Sequence, residues 1–287
     1  MRKNLGREAI FFGIFLAMAI FLVGMANAVQ CGSQQCAGNM SITIGNSAPT
    51  IPFVNPLSAV TLNGGATKVV YVVFNASDDN GYGDLNHTTA NVTLWKTGET
   101  NRSASSCTAQ QNTTKVSVFN CSVTMQFYDS AGIWNISATV KDKASSTALN
   151  TTQTFTVNAL DYVSQDVTAI SWASASLGTN DKEADSPMTL TNGGNQNYAF
   201  LNITGYDAMN GTNIIHAENF SVDSVTGATT TQVYMVNNTA VDVTSRIAGL
   251  TTHGSSVTEQ IFFYLDVPSV LPSGEYKQVA SWIIKVA

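Results

Sequence analysis

The sequence predicts an all-β chain, two antiparallel sandwich domains in tandem behind an export leader, and three observations support this. Short alternating runs of Val, Ile, Thr and aromatic residues recur between clusters of Gly, Asn and Asp, which is the pattern of strands joined by turns. The 287 residues include 27 Ser, 34 Thr and 26 Asn, yet 44% of the chain is hydrophobic, enough to fill a core. Helical periodicity is lacking beyond the leader, which argues against a doubly wound enzyme fold. With 13 Lys and Arg against 19 Asp and Glu, and only 11% of residues charged, the chain offers no basic surface for nucleic acid.

Residues 1–28 read as a cleaved signal peptide. Arg2, Lys3 and Arg7 precede an uncharged apolar stretch from Ala9 to Met25, and Ala26-Asn27-Ala28 supplies the small side chains a signal peptidase accepts. The stretch falls just short of a bilayer span, so an uncleaved anchor is disfavoured. A prepilin-type signal would be cut before the apolar run, where Gly6 is followed by Arg7 and Glu8. A lipoprotein would carry Cys at the cut, but Val29 and Gln30 precede Cys31. Leu271-Pro272-Ser273-Gly274 is similar to a sortase signal but lacks its Thr. The mature chain is expected outside the cell, without a membrane span.

Residues 29–47 form a Gly, Ser and Gln-rich arm with a small cysteine loop and a strand-like segment, Met40 to Ile44. The first domain is expected over 48–158, with strands at Val60 to Leu62, Lys68 to Ala76, Thr89 to Trp95, Lys115 to Phe127, Gly132 to Val140 and Thr151 to Val157. The second is expected over 161–287, with strands at Val167 to Trp172, Met188 to Thr191, Tyr198 to Tyr206, Glu218 to Val222, Gln232 to Val236, Gln260 to Val267 and Val279 to Val286. In that last run Trp282, Ile284 and Val286 share one face. Asp242 to Leu250 is the one candidate for a helical turn.

Thirteen N-x-S/T sequons occur, where roughly five or six would arise by chance. They begin at Asn39, Asn75, Asn86, Asn91, Asn101, Asn112, Asn120, Asn135, Asn150, Asn202, Asn210, Asn219 and Asn237. In a strand, positions i and i+2 share a face, so an apolar middle residue points inward while the acceptor Asn faces water. Asn91-Val92-Thr93, Asn120-Cys121-Ser122, Asn135-Ile136-Ser137, Asn202-Ile203-Thr204 and Asn219-Phe220-Ser221 have this form. N-glycosylation is therefore expected, against the alternative of a bare Thr/Asn-rich surface. Four cysteines in an exported chain suggest two disulfides, and of the three pairings the local one, Cys31 with Cys36 and Cys107 with Cys121, is expected. Their spacing does not fit a structural zinc site.

Tyr128-Asp129-Ser130-Ala131-Gly132-Ile133-Trp134-Asn135-Ile136-Ser137-Ala138-Thr139-Val140-Lys141-Asp142 resembles the penultimate-strand motif of immunoglobulin-like domains of the PKD and cadherin-like kind. The resemblance implies that Trp134, Ile136, Ala138 and Val140 face the core. Ala76-Ser77-Asp78-Asp79-Asn80-Gly81-Tyr82-Gly83-Asp84-Leu85 resembles the acidic turn before the third strand of such domains. With the leader and the sequons, the chain resembles modular surface proteins of prokaryotes, archaea among them, which form coats (S-layers), stalks or filaments. The second block departs from the pattern, apart from Ser273-Gly274-Glu275-Tyr276.

Asp78, Asn80 and Asp84 offer oxygen ligands to a hard cation such as Ca²⁺, with Gly81 allowing the turn, and the competing reading is a solvated Asx turn. No other cofactor is expected. His87, His216 and His253 are isolated in sequence, and no nucleophile elbow, phosphate loop or zinc motif occurs. Trp95, Trp134, Trp172 and Trp282 are expected in the core, with Tyr82 exposed. The expectation is thus a non-enzymatic, glycosylated structural or adhesive protein of the cell surface. Its expected partners are other surface proteins, glycans or further copies of itself. The alternatives are a filament subunit assembling by strand addition through Met40 to Ile44, and a carbohydrate-binding module or secreted hydrolase.

Overall fold

The structure is a computed structural model that describes residues 39–287 apart from 174, 228, 229, 252 and 256. The leader and the Cys31 to Cys36 loop lie outside the described residues. Residues 39–45 belong to one unit, Met1–Gly45, and Asn46–Ala287 form another. The expected strand at Met40 to Ile44 is not formed. A lone extended segment has no neighbour to satisfy its backbone in a ladder, and Met40, Ile42 and Ile44 are all largely exposed.

The described chain is all-β, with antiparallel sheets and no α-helix. Alternation dictates its first seven strands: β1 (Thr50–Val54), β2 (Lys68–Ser77), β3 (Leu85–Trp95), β4 (Arg102–Asn112), β5 (Val116–Met125), β6 (Gly132–Asp142) and β7 (Thr147–Val157). In β2, β5 and β6 every second residue is buried and its neighbours are not, so one face is dry and the other wet. The ladder order is β1-β2-β5-β4-β3-β6-β7. β2 and β5 pair without a bulge from Lys68↔Met125 to Ser77↔Val116, bringing Phe74 and Phe119 into a stack at 5.1 Å. β4 pairs with β5 along most of its length but meets β3 only at Arg102 and Ser103, so it passes the chain from one half of the sheet to the other. Asn150 Nδ2 donates to Ile51 O, so β7 also reaches β1, and the sheet wraps one core around Trp134. The arrangement is compatible with a β-sandwich.

β4 was not foreseen, because Arg102-Ser103-Ala104-Ser105-Ser106-Cys107-Thr108 shows no apolar alternation. Two features hold it. Cys107 sits directly opposite Cys121, and the two form a disulfide. At its start, Arg102 grips the buried Asp129 carboxylate with Nε at 3.0 Å and with Nη2. Asp129 Oδ2 also accepts the Gln126 N–H. The Trp134 indole N–H reaches back to Ser130 O at 2.9 Å, and Gly132, at φ 112°, lets the chain turn between them. The expected strand at Val60 to Leu62 shrinks to a single parallel bridge, Val60↔Val157.

The second block is built from shorter pieces: β8 (Val163–Gln165), β9 (Lys182–Glu183), β10 (Met188–Asn192), β11 (Leu201–Thr204), β12 (Ala208–Asn210), β13 (Asn213–Ile215), β14 (Phe220–Asp223), β15 (Val233–Tyr234), β16 (Ala240–Asp242), β17 (Val257–Leu265), β18 (Lys277–Gln278) and β19 (Ile283–Val286). Its largest sheet runs β15-β14-β17-β10-β8, with β9 on β17. Two small sheets, β16-β11-β19 and β13-β12-β18, complete it. Their apolar faces meet around Leu201, Ile203, Val222 and Phe263. Trp282 packs on Phe220 at 5.5 Å and on Phe263 at 5.9 Å. The expected strand at Val167 to Trp172 is absent. There the Trp172 indole donates to Lys182 O and Ala173 N to Asp185, so the segment is held by side chains rather than by a ladder. The expected helical turn is a single hydrogen-bonded turn, Ile247 N to Val243 O.

Gly64, in a turn, and Gly193 and Gly194 are close-approach points where the blocks join. A Cβ on Gly64 would lie 2.3 Å from the Tyr162 ring, and one on Gly194 would lie 2.2 Å from Leu160 O. Gly65 N donates to Gly193 O, and Asn195 Nδ2 donates to Asp129 O and Asn158 O.

Tyr264, buried on the face of β17 opposite Phe263 and Leu265, donates its hydroxyl to Val225 O at 2.6 Å. Burial, reinforced by the nearby Glu183, Asp223 and Asp181 carboxylates, pushes its pKa up to about 12. The folded chain therefore holds Tyr264 neutral where the unfolded chain ionises it, near pH 10. The associated stability is complete below pH 10 and lost as pH rises towards 12. Urea melts of wild type and Tyr264→Phe should show wild type losing stability more steeply between pH 10 and 12, and parallel slopes would refute this.

Candidate functional site

The acidic turn after β2 folds through its own side chains. Asp78 Oδ1 accepts the Asn80 N–H at 2.8 Å, Gly81 N donates to Asp78 O, and Gly81 takes φ 106°. A single 3₁₀ turn, Tyr82–Asp84, then leads into β3. Across from it, Asp142 closes β6, with Oδ1 accepting the Ser146 N–H at 2.7 Å. Lys143 N donates to Asp84 O, which ties the two turns together. One carboxylate oxygen from each of Asp78, Asp84 and Asp142 lies within 4.8 Å of the other two. Asp78 and Asp142 are buried and Asp84 is half-buried.

The sequence singled out two of these three acids. Asn80 is engaged elsewhere: its Oδ1 accepts the Ser47 N–H at 2.6 Å. Asp142 joins the two acids, and the signal for it was its position at the end of the penultimate-strand motif. Its Oδ2 accepts the Asn46 amide at 2.8 Å, and that bond, with those from Ser146, holds its carboxyl below the usual carboxylate range. Asp78 Oδ2 is buried without a hydrogen-bond partner. The neighbouring Asp79 is drawn out to Lys115 at 2.8 Å, which lowers its pKa.

None of the thirteen acceptor asparagines is buried. Asn75 and Asn120 lie on the outer face of the β2–β5 ladder, and Asn91 and Asn135 on the outer face of β3–β6. The middle residues Val92, Cys121, Ile136, Ile203 and Phe220 are all buried. Three acceptor amides donate through Nδ2, Asn135 to Trp95 O, Asn150 to Ile51 O and Asn237 to Asp207, while Asn86 and Asn112 accept through Oδ1 from Thr88 and Ser117. Cys107 and Cys121 pair as expected. Trp134 is fully buried, while Trp172 and Trp282 are half-buried against Phe220. Trp95 departs from the expectation, standing on the outer face of β3 at 37% exposure, because β3 ends there and Leu94 fills the dry side. Tyr82 is exposed.

Two further constellations gather residues that are distant in sequence. Asp207, His216 and Glu218 meet at the surface, where Asp207 already accepts from Ala217 N and Asn237 Nδ2. Ser130, His253, Asn197 and Glu99 form a polar chain. Ser130 Oγ donates to Glu99 and lies 3.2 Å from His253 Nε2, while His253 Nδ1 lies 2.8 Å from Asn197 Oδ1. The order resembles a nucleophile, base and orienting group. The chain links the β5–β6 corner to the second block, with Ser130 Oγ also held by the Glu99 carboxylate. No protein-family model matches the chain, and no match is found among curated proteins.

A fluorophosphonate probe should leave Ser130 unlabelled, while Ser130→Ala should cost about 1 kcal/mol of stability in urea melts. Covalent labelling at Ser130 would instead make it a nucleophile.

Proposed function

We propose that this chain is a non-enzymatic, N-glycosylated protein of the cell surface, serving as a structural or adhesive element. The observation that carries the reading is the placement of the acceptors. Strand sequons turn their apolar middle residues into the core and their asparagines outward on both halves of the first sheet. Glycans there would solvate the wet faces without disturbing a buried side chain. The leader and the low basic charge agree with export.

The strand order also favours an immunoglobulin-like first domain. β1-β2-β5-β4 against β3-β6-β7 is the ABED and CFG order of a constant-type sandwich. The Trp134 indole bond to Ser130 O stands at the corner where such domains place a tyrosine hydroxyl. The disulfide differs, joining neighbouring strands of one sheet rather than bridging the two sheets. PKD or cadherin-like kinship rests on this order and on the sequence motif. Intact mass of the exported protein before and after glycosidase treatment tests the glycan reading. A mass several hexoses or more above that of the leader-cleaved chain is expected, and the bare polypeptide mass would end it.

A second reading, a filament subunit built by strand addition, is favoured by one observation. Met40, Ile42 and Ile44 recur at every second residue, are 76 to 88% exposed, and belong to no strand. On pairing with a sheet edge, all three would fall on one side. Deleting residues 29–44, which keeps the Asn46 and Ser47 contacts to Asp142 and Asn80, should abolish assembly while leaving the melting temperature of the monomer unchanged. Assembly that persists would remove this reading.

A further inference from the structure

We propose that Asp78, Asp84 and Asp142 bind one Ca²⁺ ion. The argument begins from how the fold treats buried carboxylates. Four aspartates are buried: Asp78, Asp129, Asp142 and Asp223. Asp129 is matched by Arg102 at the start of β4, and Asp223 by Arg246 at 2.9 Å. Asp78 and Asp142 share one end of the sheet with Asp84, and no described Lys or Arg pairs with any of the three. A buried negative charge persists only when paired, hydrogen-bonded or bound to metal. Two of the four received an arginine, and the other two were placed beside a third carboxylate.

The hydrogen bonds leave room for a cation. Asp142 is oriented by Ser146 N and Asn46 Nδ2, and Asp78 by Asn80 N through Oδ1 only. Asp78 Oδ2 is buried and has no hydrogen-bond donor. An oxygen so placed would raise the cost of the fold, and an ion removes that cost. Three oxygens can share a shell of 2.6 Å radius at mutual separations up to about 4.5 Å, so these three, all within 4.8 Å of one another, need a shift of at most a few tenths of an ångström to reach one Ca²⁺. Mg²⁺ demands a tighter octahedron and gives up its water reluctantly. Three carboxylates favour a multivalent hard ion over Na⁺ or K⁺.

The ion would join the turn after β2, the 3₁₀ turn before β3 and the turn after β6. Asn46 and Ser47, bonded to Asp142 and Asn80, would be fixed with them. The proposal stands whether or not the chain is exported or glycosylated, and it needs no neighbouring copy.

The test uses the full exported chain stripped with EDTA. Calorimetric titration with CaCl₂ should give one saturable site. At a hundredfold excess over Kd, Ca²⁺ should raise Tm by about 5 °C or more. Asp84→Asn and Asp142→Asn should each weaken binding at least about tenfold, while His216→Ala, at the Asp207 cluster, should leave it unchanged. Asp84 is half-buried, so its variant is the one expected to fold. If neither variant folds, wild-type melts with and without Ca²⁺ still decide. An identical Tm with no saturable binding would overturn the proposal, as would wild-type affinity in Asp84→Asn or loss of binding in His216→Ala. Mg²⁺ binding as tightly as Ca²⁺ would overturn the assignment of the ion.

Discussion

Much of this fold converges on the Asp129 carboxylate, a fully buried charge in the corner between β5 and β6. It holds Arg102, and so fixes where the polar strand β4 begins. It accepts the Gln126 N–H, which shapes the corner, and its main-chain oxygen accepts the Asn195 amide from the second block. The adjacent Ser130 carbonyl takes the Trp134 indole at the centre of the first core. Leaving a buried carboxylate without its partner costs about 3–5 kcal/mol, a large share of a domain's net stability. The corner therefore specifies strand placement, core packing and the joint between blocks at once.

The legible parts of the fold were those where one side of a strand is dry. β2, β5, β6 and β7 were visible as runs because Val70, Val72, Phe74, Phe119, Val123, Ile136 and Phe155 recur at every second position and are buried. β4 was invisible because its stabilisation is covalent and ionic, through Cys107 and Arg102, and neither leaves a periodic trace. The second block was foreseen only in outline. Apart from the nine-residue β17, its strands run two to five residues and lack the length over which period two can be told from chance, and Trp172 in an alternating run is held by an indole bond rather than a ladder.

The acid cluster divides along the same line. Asp78 and Asp84 were readable because a local turn brings them together, whereas Asp142 joins them only through the β3–β6 pairing that sets Leu85 opposite it. Asn80, with a ligand's oxygen at a ligand's spacing, accepts the Ser47 N–H, a contact no local pattern announces. The Ser130, His253 and Asn197 chain needed the fold of both blocks and left no local signal. In each case, what sequence could not supply was a long-range pairing.

The disulfide joins residues that already face each other on adjacent strands, 14 apart in sequence. Such a bond, besides holding β4 to β5, changes how the chain responds to being pulled. Under tension between its two ends, β4 and β5 can shear from their neighbours, yet the loop between Cys107 and Cys121 cannot pay out. About 50 Å of contour length stays locked until the bond is reduced. The first sheet thus lengthens in two stages, with the second available only to a reductant, so its extensibility depends on the redox state of its surroundings.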